Sequence, residues 1–458
     1  MFKSRRRPYR QPRRRSFSLL VIILLAVPLV LILLELLTRL FIGIMGKNAE
    51  LVAYKGELPI VTAYRLKFLG ETQQPYDGLT NHGHLAAQRH LAVGYSLVGN
   101  QKNKFWRINE QGFRDDAPVP IVKPKNEIRI FILGGSTAFG QWNTNNQATL
   151  ASALEARLNE RVAQQKSFPE KYRPMTLPFY KPELLKALAL PLRLREGQYR
   201  VINAAVPGYT SGNELAQLAL QILPYSPDAV VVLDGYTDLM LPSNQAQADI
   251  PNIESFLNNA PGHFWTYLTR QFKQSVTDTY LVKAIRYWFL HPQPSVSQLS
   301  LVATDDAEPL EQHLASDSAE LKRRVARYRD RLKQMVALTT GARIPLIVAI
   351  QPEITGRGQA KLPPREQAIL EELGPVYKQR VQTGYAELAQ VSQQLQKAFP
   401  KNVTTLYLYK FYENFPDPAF YDAVHLTQKA NASLSEQFYR VMTGLPKLQI
   451  TPPKPPKL

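Results

Sequence analysis

The chain has 458 residues, enough for one large domain or two ordinary ones, and its 45% apolar and 20% charged content excludes wholesale disorder. It contains no cysteine, which excludes disulfide scaffolds, thiolate zinc sites and cysteine nucleophiles. The net charge of +19 is uneven: residues 1–15 hold Lys3, Arg5, Arg6, Arg7, Arg10, Arg13, Arg14 and Arg15 without an acid, which is +8 of the total.

An arginine cluster of this kind can serve nucleic acid, but the adjoining apolar run explains it better. Phe17 to Leu34 is an uncharged 18-residue run that as a helix spans roughly 27 Å, against a bilayer core of about 30 Å. Glu35 and Arg39 come next at i, i+4 spacing, able to pair on one face, and apolar residues resume through Ile44. The expectation is a transmembrane anchor over 17–44, with the basic tail 1–16 in the cytoplasm and the remainder outside it. No small-x-small cleavage site follows Gly46, which argues against a removable signal peptide. Arg14-Arg15-Ser16-Phe17 hints at a twin-arginine export signal, but the apolar run is too long and too greasy for one.

Residues 47–127 form a juxtamembrane segment whose Tyr54, Tyr64, Tyr76, Tyr95 and Trp106 make it too aromatic for a free linker, so it is expected to pack on the domain after it. His82 and His84 flank Gly83, with His90 beyond, but no carboxylate stands at ligand spacing, so they read as loop histidines and no metal site is expected.

The stretch Ile128-Arg129-Ile130-Phe131-Ile132-Leu133-Gly134-Gly135-Ser136 reads as a buried strand, a glycine turn and a serine opening a helix. Leu150, Leu154, Leu158 and Val162 then recur as the buried stripe of a helix, and 165–198 breaks the pattern as an insertion. Tyr199 to Val206 is the second strand, ending in Pro207-Gly208, and Ser211 to Glu214 is an S-x-x-E capping box opening the helix Leu215–Leu223. Pro227 to Leu233 is a third strand, apolar enough to be buried on both faces, running into Asp234-Gly235-Tyr236-Thr237-Asp238.

A second insertion, about 243–318, carries Phe264-Trp265, Tyr267, Phe272 and Tyr287-Trp288-Phe289 among Arg270, Lys283 and Arg286. It covers the active site, rests on a membrane surface, or turns its aromatics to the core. Next come a charged helix (about 317–338), a strand at 344–350, a long helical region (about 365–398) and a strand at 403–408. Asp422-Ala423-Val424-His425 and a helix over about 428–442 close a domain spanning 128–445, before a Pro/Lys-rich tail at 446–458. Strands alternating with helices imply a three-layer α/β/α sandwich on a mainly parallel sheet.

Ser136 at a strand end needs a base and an acid to orient it, and Asp422 and His425, three apart, reach the same side of a turn. Gly208 lets a backbone N–H approach a developing oxyanion beside the Ser136 N–H. Gly134-Gly135-Ser136, Gly208, Gly235-Tyr236-Thr237-Asp238 and Asp422-x-x-His425, in this order, resemble the SGNH (GDSL-type) hydrolase superfamily. Ile108-Asn109-Glu110-Gln111-Gly112-Phe113-Arg114 and His425-Leu426-Thr427 are similar to envelope-associated bacterial members.

The resemblance implies a flavodoxin-like sheet, Ser136 as nucleophile, His425 as general base, Asp422 as its orienting acid, and Ser136, Gly208 and Thr237 as the oxyanion hole. It implies no cofactor. Two positions depart from it: Gly135 replaces the acid before the serine, and Thr237 replaces the asparagine of G-x-N-D, with Asn203 or Asn213 able to substitute. An α/β-hydrolase shares the residue order but needs G-x-S-x-G and separate loops for acid and base, whereas here Ala138 holds the fifth position.

The expected function is therefore a membrane-anchored, extracytoplasmic serine esterase, at a bacterial inner or plasma membrane, removing acyl groups from an envelope glycan or lipid. Two rivals keep the site: an O-acyltransferase with a sugar hydroxyl as acceptor, and a non-catalytic glycan-binding or assembly protein. Neither nucleic acid nor a particular protein partner is implied.

Overall fold

The computed structural model describes residues 19–48, 51, 54, 58–70, 72–75, 83–245, 275–290, 294–300, 308–358 and 362–453. The basic tail 1–16, Tyr76, His82, the insertion's Phe264, Trp265, Tyr267, Arg270 and Phe272, and residues 454–458 lie outside the described residues. The chain divides into two compact units, Met1–Pro59 with Leu268–Gln293, and Ile60–Tyr267 with Pro294–Leu458.

In the first unit the apolar run forms one helix, α1 (Leu19–Ile44), with Pro28 inside it. Its stretch Ile23–Ile44 is long and apolar enough to cross a membrane by length and composition. The Glu35–Arg39 pair forms at 2.8 Å. The Glu35 carboxylate also accepts the N–H groups of Tyr280 (3.0 Å) and Leu281 (2.8 Å), where the short helix Tyr280–Ile285 begins. Ile42, Leu51 and Ala284 are buried together, with Tyr280, Tyr287 and Trp288 packed on them. Part of the aromatic insertion therefore belongs with α1.

The second unit is built on five parallel strands. The three central ones are buried along almost their whole length, because apolar side chains on both faces leave no side for water. Ahead of them, β1 (Leu66–Leu69), β2 (Leu85–His90) and β3 (Gly94–Leu97) make a small separate sheet. The main strands are β4 (Glu127–Gly134), β5 (Gln198–Asn203), β6 (Ala229–Asp234), β7 (Leu346–Ile350) and β8 (Val403–Tyr407), in the order β8-β7-β6-β4-β5. Helices Leu150–Ser167 and Gln428–Gly444 pack on each other at one side. Ser211–Gln217, Ser318–Gly341 and Pro364–Ala398 form the other layer. This is the expected three-layer sandwich. Strand order reverses between β4 and its neighbours β5 and β6, and such a switch point is where open α/β sheets place their ligands, at the carboxyl ends.

Element boundaries depart from the sequence expectation where side chains intervene. β5 ends at Asn203 and not at Val206, because Asn203 turns its amide to the carbonyls of Ala138 (3.3 Å) and Phe139 (3.1 Å). The chain still runs along β4 beyond that point, with Val206 N–H on Gly134 O at 3.0 Å. The S-x-x-E box is a correction: Thr210 is the cap, and Asn213 Oδ1 accepts its N–H (3.1 Å) and hydroxyl (2.9 Å). The α-helix starts at Ser211 and continues past Gln217 as a π-turn over Leu218–Ile222. The tail also begins later than expected, since Gln449–Ile450 pairs with Arg193–Leu194 inside the first insertion.

Glu214, displaced from capping, is wholly buried against Asp234 and Asp238. Burial and the neighbouring Asp234 charge raise Glu214 well above the usual carboxylate value, and burial with the Asp238 charge raises Asp234 to about 7. Glu214 and Asp234 therefore hold their protons above the ordinary carboxylate range, and Asp234 Oδ1 accepts from Tyr328 Oη at 2.8 Å. The unfolded chain releases these protons near the ordinary value of 3.8 for Asp234, so stability is full below that pH and falls as pH rises towards about 7. Asp234→Asn keeps the acceptor for Tyr328 without a charge. Its Tm is expected to match wild type near pH 4 and exceed it at pH 8 in thermal unfolding across that range; parallel curves would refute the raised Asp234 value.

Candidate active site

Gly134 ends β4 with φ +149°, where an added Cβ would lie 2.3 Å from Leu233 O, so only glycine lets β4 and β6 approach this closely before the chain turns. Ser136 then opens a four-residue helix, Ser136–Phe139, and is 8% exposed. Gly208, at φ +85°, sits where an added Cβ would meet Tyr95 Oη at 2.5 Å. That hydroxyl donates to Pro207 O (2.7 Å), so the juxtamembrane segment braces the loop carrying Gly208. Neither the Ser136 nor the Gly208 backbone N–H donates to a described acceptor, and Gly208 and Thr237 are half-exposed among buried neighbours.

Thr237 lies at the carboxyl end of β6, its hydroxyl 3.4 Å from where a Cβ on Gly135 would stand. Gly135 and Thr237 are thus packed against one another: the two departures from the family pattern share one spot. Of the suggested substitutes, Asn203 and Asn213 are both committed to backbone groups elsewhere, Asn213 Nδ2 bonding Val93 O at 2.8 Å. Asp238 points away from the site and accepts the Ser211 N–H (2.9 Å) and hydroxyl (2.5 Å), tying the β6 turn to the β5 loop.

The structure brings Asp422 and His425 together: His425 Nδ1 lies 2.6 Å from Asp422 Oδ2, and both side chains are fully buried. Asp422 Oδ1 accepts the N–H groups of Val424 (3.0 Å) and His425 (2.9 Å). Burial pushes the Asp422 carboxyl up, but the His425 charge and hydrogen bond with the two backbone donors outweigh it and hold it below the ordinary carboxylate value. In the neutral imidazole, Nδ1–H on the carboxylate puts the lone pair on Nε2, which is buried and has no hydrogen-bond partner among the described residues.

Ser136 and His425 do not hydrogen-bond in this structure; their neighbours join them. Thr137 Oγ1, beside Ser136, donates to Val424 O (3.2 Å), beside His425, and accepts from Gln351 Nε2 (2.9 Å) at the end of β7. Catalytic hydrogen bonds commonly tighten only when substrate is present.

Three residues of the site were not legible as such in the sequence. Thr137 and Gln351 carry no motif. Trp142 Nε1 lies 2.7 Å from Asp422 Oδ2, through a turn that no pattern announces. Arg114, from the I-N-E-Q-G-F-R stretch, had a signal but no assigned part: its buried guanidinium donates to Phe139 O (3.1 Å), Gly140 O (2.8 Å) and Asn145 O (3.2 Å), clamping the turn after Ser136. From the second insertion, Ser300 Oγ accepts the Ala423 N–H at 3.1 Å, so residues 294–300 rest on the Asp422–His425 loop. His84 and His90 are away from these groups, and no cluster of three or more potential ligands for a metal exists among the described residues.

The loop itself hangs on a buried ion pair. Arg357 meets Glu366 at 2.9 Å, Glu366 Oε1 accepts from Ala419 (2.6 Å) and Phe420 (2.8 Å), and Arg357 donates to Phe415 O (2.9 Å). Removing one partner of such a pair leaves an uncompensated buried charge, at a cost of about 3–5 kcal/mol. Glu366→Ala is expected to lower stability by about that amount in denaturant unfolding; a loss below about 1 kcal/mol would place the pair outside the loop's support.

Comparison with known proteins finds no matching family model and no matching curated protein. Among solved structures, the chain is similar to a lipase/acylhydrolase from Enterococcus faecalis, at 16% identity and TM-score 0.34, covering 72% of this chain and 100% of that one. It is similar to a G-D-S-L-family lipolytic protein from Desulfitobacterium hafniense, at 11% identity and TM-score 0.32, covering 68% and 98%. A catalytic mutant of an acetylxylan esterase from Geobacillus stearothermophilus gives 13% identity and TM-score 0.32, covering 70% and 96%. At these values it is the site's own geometry that bears on function.

Proposed function

We propose that this chain is a membrane-anchored serine ester hydrolase of the SGNH type, acting outside the cytoplasm on an acylated envelope glycan or lipid. The observation that carries it is the buried Asp422–His425 pair at 2.6 Å, with Nε2 unpartnered among the described residues and its loop tied to the residue after Ser136.

In this reading Ser136 Oγ attacks the ester carbonyl as His425 Nε2 takes its proton, and the ionised Asp422 stabilises the imidazolium that forms. The Ser136 and Gly208 amides receive the oxyanion, with the Thr237 hydroxyl as third donor. The tetrahedral intermediate collapses with His425 returning the proton to the leaving alkoxide, which leaves an acyl-serine and a free alcohol. Water, deprotonated by the same Nε2, then releases the acid and restores Ser136. A sugar hydroxyl in place of that water gives the O-acyltransferase; both readings use the same groups.

The anchor, α1, and the eight basic residues before it support an N-terminus in the cytoplasm and a domain outside it. A non-catalytic glycan-binding role leaves the desolvated Asp422–His425 pair without a purpose.

The full chain in detergent, offered a short-chain aryl ester, is expected to turn over, and Ser136→Ala to lose at least about 10³ of kcat. Equal rates in both would sink the serine mechanism. Addition of an oligosaccharide acceptor then separates the two chemistries, since acyl transfer outpacing acid release identifies the transferase. Thr237→Ala is expected to lower kcat by about 10²-fold with KM little changed; an unchanged kcat would remove Thr237 from the oxyanion site.

A further inference from the structure

Trp142 stands out twice. It is one of few non-glycine residues with positive φ, at +66°, a backbone conformation that bulky L-residues avoid, and it is 6% exposed. Its indole also meets the acid of the proposed triad. Backbone outliers of this kind concentrate where a side chain must be aimed.

The Asp422 carboxylate has four acceptor directions and all four are used. Oδ1 takes the Val424 and His425 amides, and Oδ2 takes His425 Nδ1 (2.6 Å) and Trp142 Nε1 (2.7 Å). Trp142 Nε1 also comes within 3.1 Å of His425 Nδ1. An indole nitrogen only donates, and an Nδ1 at 2.6 Å from an ionised carboxylate carries a hydrogen. The 3.1 Å approach is therefore between two donors that share one oxygen. Two donors on Oδ2 fix the carboxylate's rotation about its Cβ–Cγ bond, and with it the plane of the imidazole. The rings of Trp142 and His425 stand edge to face, 5.7 Å apart at 85°.

The strained backbone is held from both sides. Arg114 grips the carbonyls of Phe139 and Gly140 before it, and Tyr64 Oη donates to Asn143 O (2.6 Å) just after it, while the Tyr64 ring packs edge-on against the indole at 5.5 Å. Tyr64 and Arg114 also bond each other at 2.8 Å. A tryptophan needed only to fill space could do so from an ordinary backbone conformation, and its N–H could donate to any carbonyl.

We propose that Trp142 is a positioning residue of the reaction: its indole N–H locks Asp422 Oδ2 so that His425 presents Nε2, in the basic tautomer, to Ser136. This rests on the ester-hydrolase reading, and the closing experiment keeps the two apart. In the full chain, Trp142 is replaced by 3-benzothienylalanine, which has the same shape with sulfur for N–H, and in parallel by Phe. Each is compared with wild type and Ser136→Ala for aryl-ester turnover, Ser136 labelling by an organophosphonate, and the proton resonance of the His425 Nδ1–H.

Loss of one charge-assisted hydrogen bond corresponds to about ten- to hundredfold in rate. The benzothienyl variant is expected to lose that much of kcat and of labelling rate, with KM within about twofold and Tm near wild type. Its Nδ1 proton should move downfield, because Oδ2 then serves a single donor. Wild-type rates and an unmoved resonance in that variant would overturn the proposal, as would a loss confined to KM or matched by a collapse of Tm. A wild-type chain that neither hydrolyses nor labels would instead overturn the ester-hydrolase reading, and the role of Trp142 in it; the failures are distinguishable because the first leaves Ser136 reactive.

Discussion

β4 lies between β5 and β6 with every residue from Ile128 to Gly134 buried, and the rest of the second unit is arranged around that constraint. A strand covered on both faces and both edges carries charge only near its start, where Arg129 pairs with Glu127. Its only access to chemistry is its carboxyl end. There Gly134 lets the chain come closer to β6 than any side chain would permit, and Ser136 emerges directly beyond it. The one cation in the strand, Arg129, sits at the opposite end, where Tyr225 O accepts from it at 3.0 Å. The same reasoning places Gly208 after β5 and Thr237 after β6, because neighbouring parallel strands end on one side.

Burial also governs the polar groups, which are grouped by what each can exchange. Asp422 is held below the ordinary carboxylate value within a full set of donors; burial and neighbouring charge raise Glu214 and Asp234; Arg357 and Glu366 neutralise each other and hold the loop that carries Asp422. Each arrangement ties a strand end or loop of the candidate site to a separate part of the chain. The segment ahead of β4 takes part in this, with Tyr64, Tyr95 and Arg114 bonded to the turns that bear Trp142, Gly208 and Ser136. It belongs to the site's architecture more than to a spacer.

The second insertion is divided between the two units. Residues 275–290 form part of the unit containing α1, where Glu35 accepts two backbone N–H groups at the start of a short helix, while Ser300 lies against Ala423 in the other. The three sequence readings of its aromatics were each too uniform. Tyr287 and Trp288 pack in a small cluster, whereas Phe289 is 79% exposed.

Periodicity and composition by themselves determined the long apolar N-terminal helix, the five strands, the alternation with helices and hence the layered sheet. These come from local rules: an uncharged run long enough to span a bilayer, and apolar strands needing cover on both faces. Asp422-x-x-His425 was legible for the same reason, since three residues of turn fix how far two side chains can be apart. What only the tertiary structure decided was every contact between distant segments. Thr137 bonds Val424 across 287 positions and Trp142 meets Asp422 across 280. The S-x-x-E motif failed because Thr210 is the cap and Asn213 holds the box position, while Glu214 is buried near Asp234, remote in sequence. A hydrogen bond is worth what its partner and its dielectric make it, and neither is encoded at the residue itself.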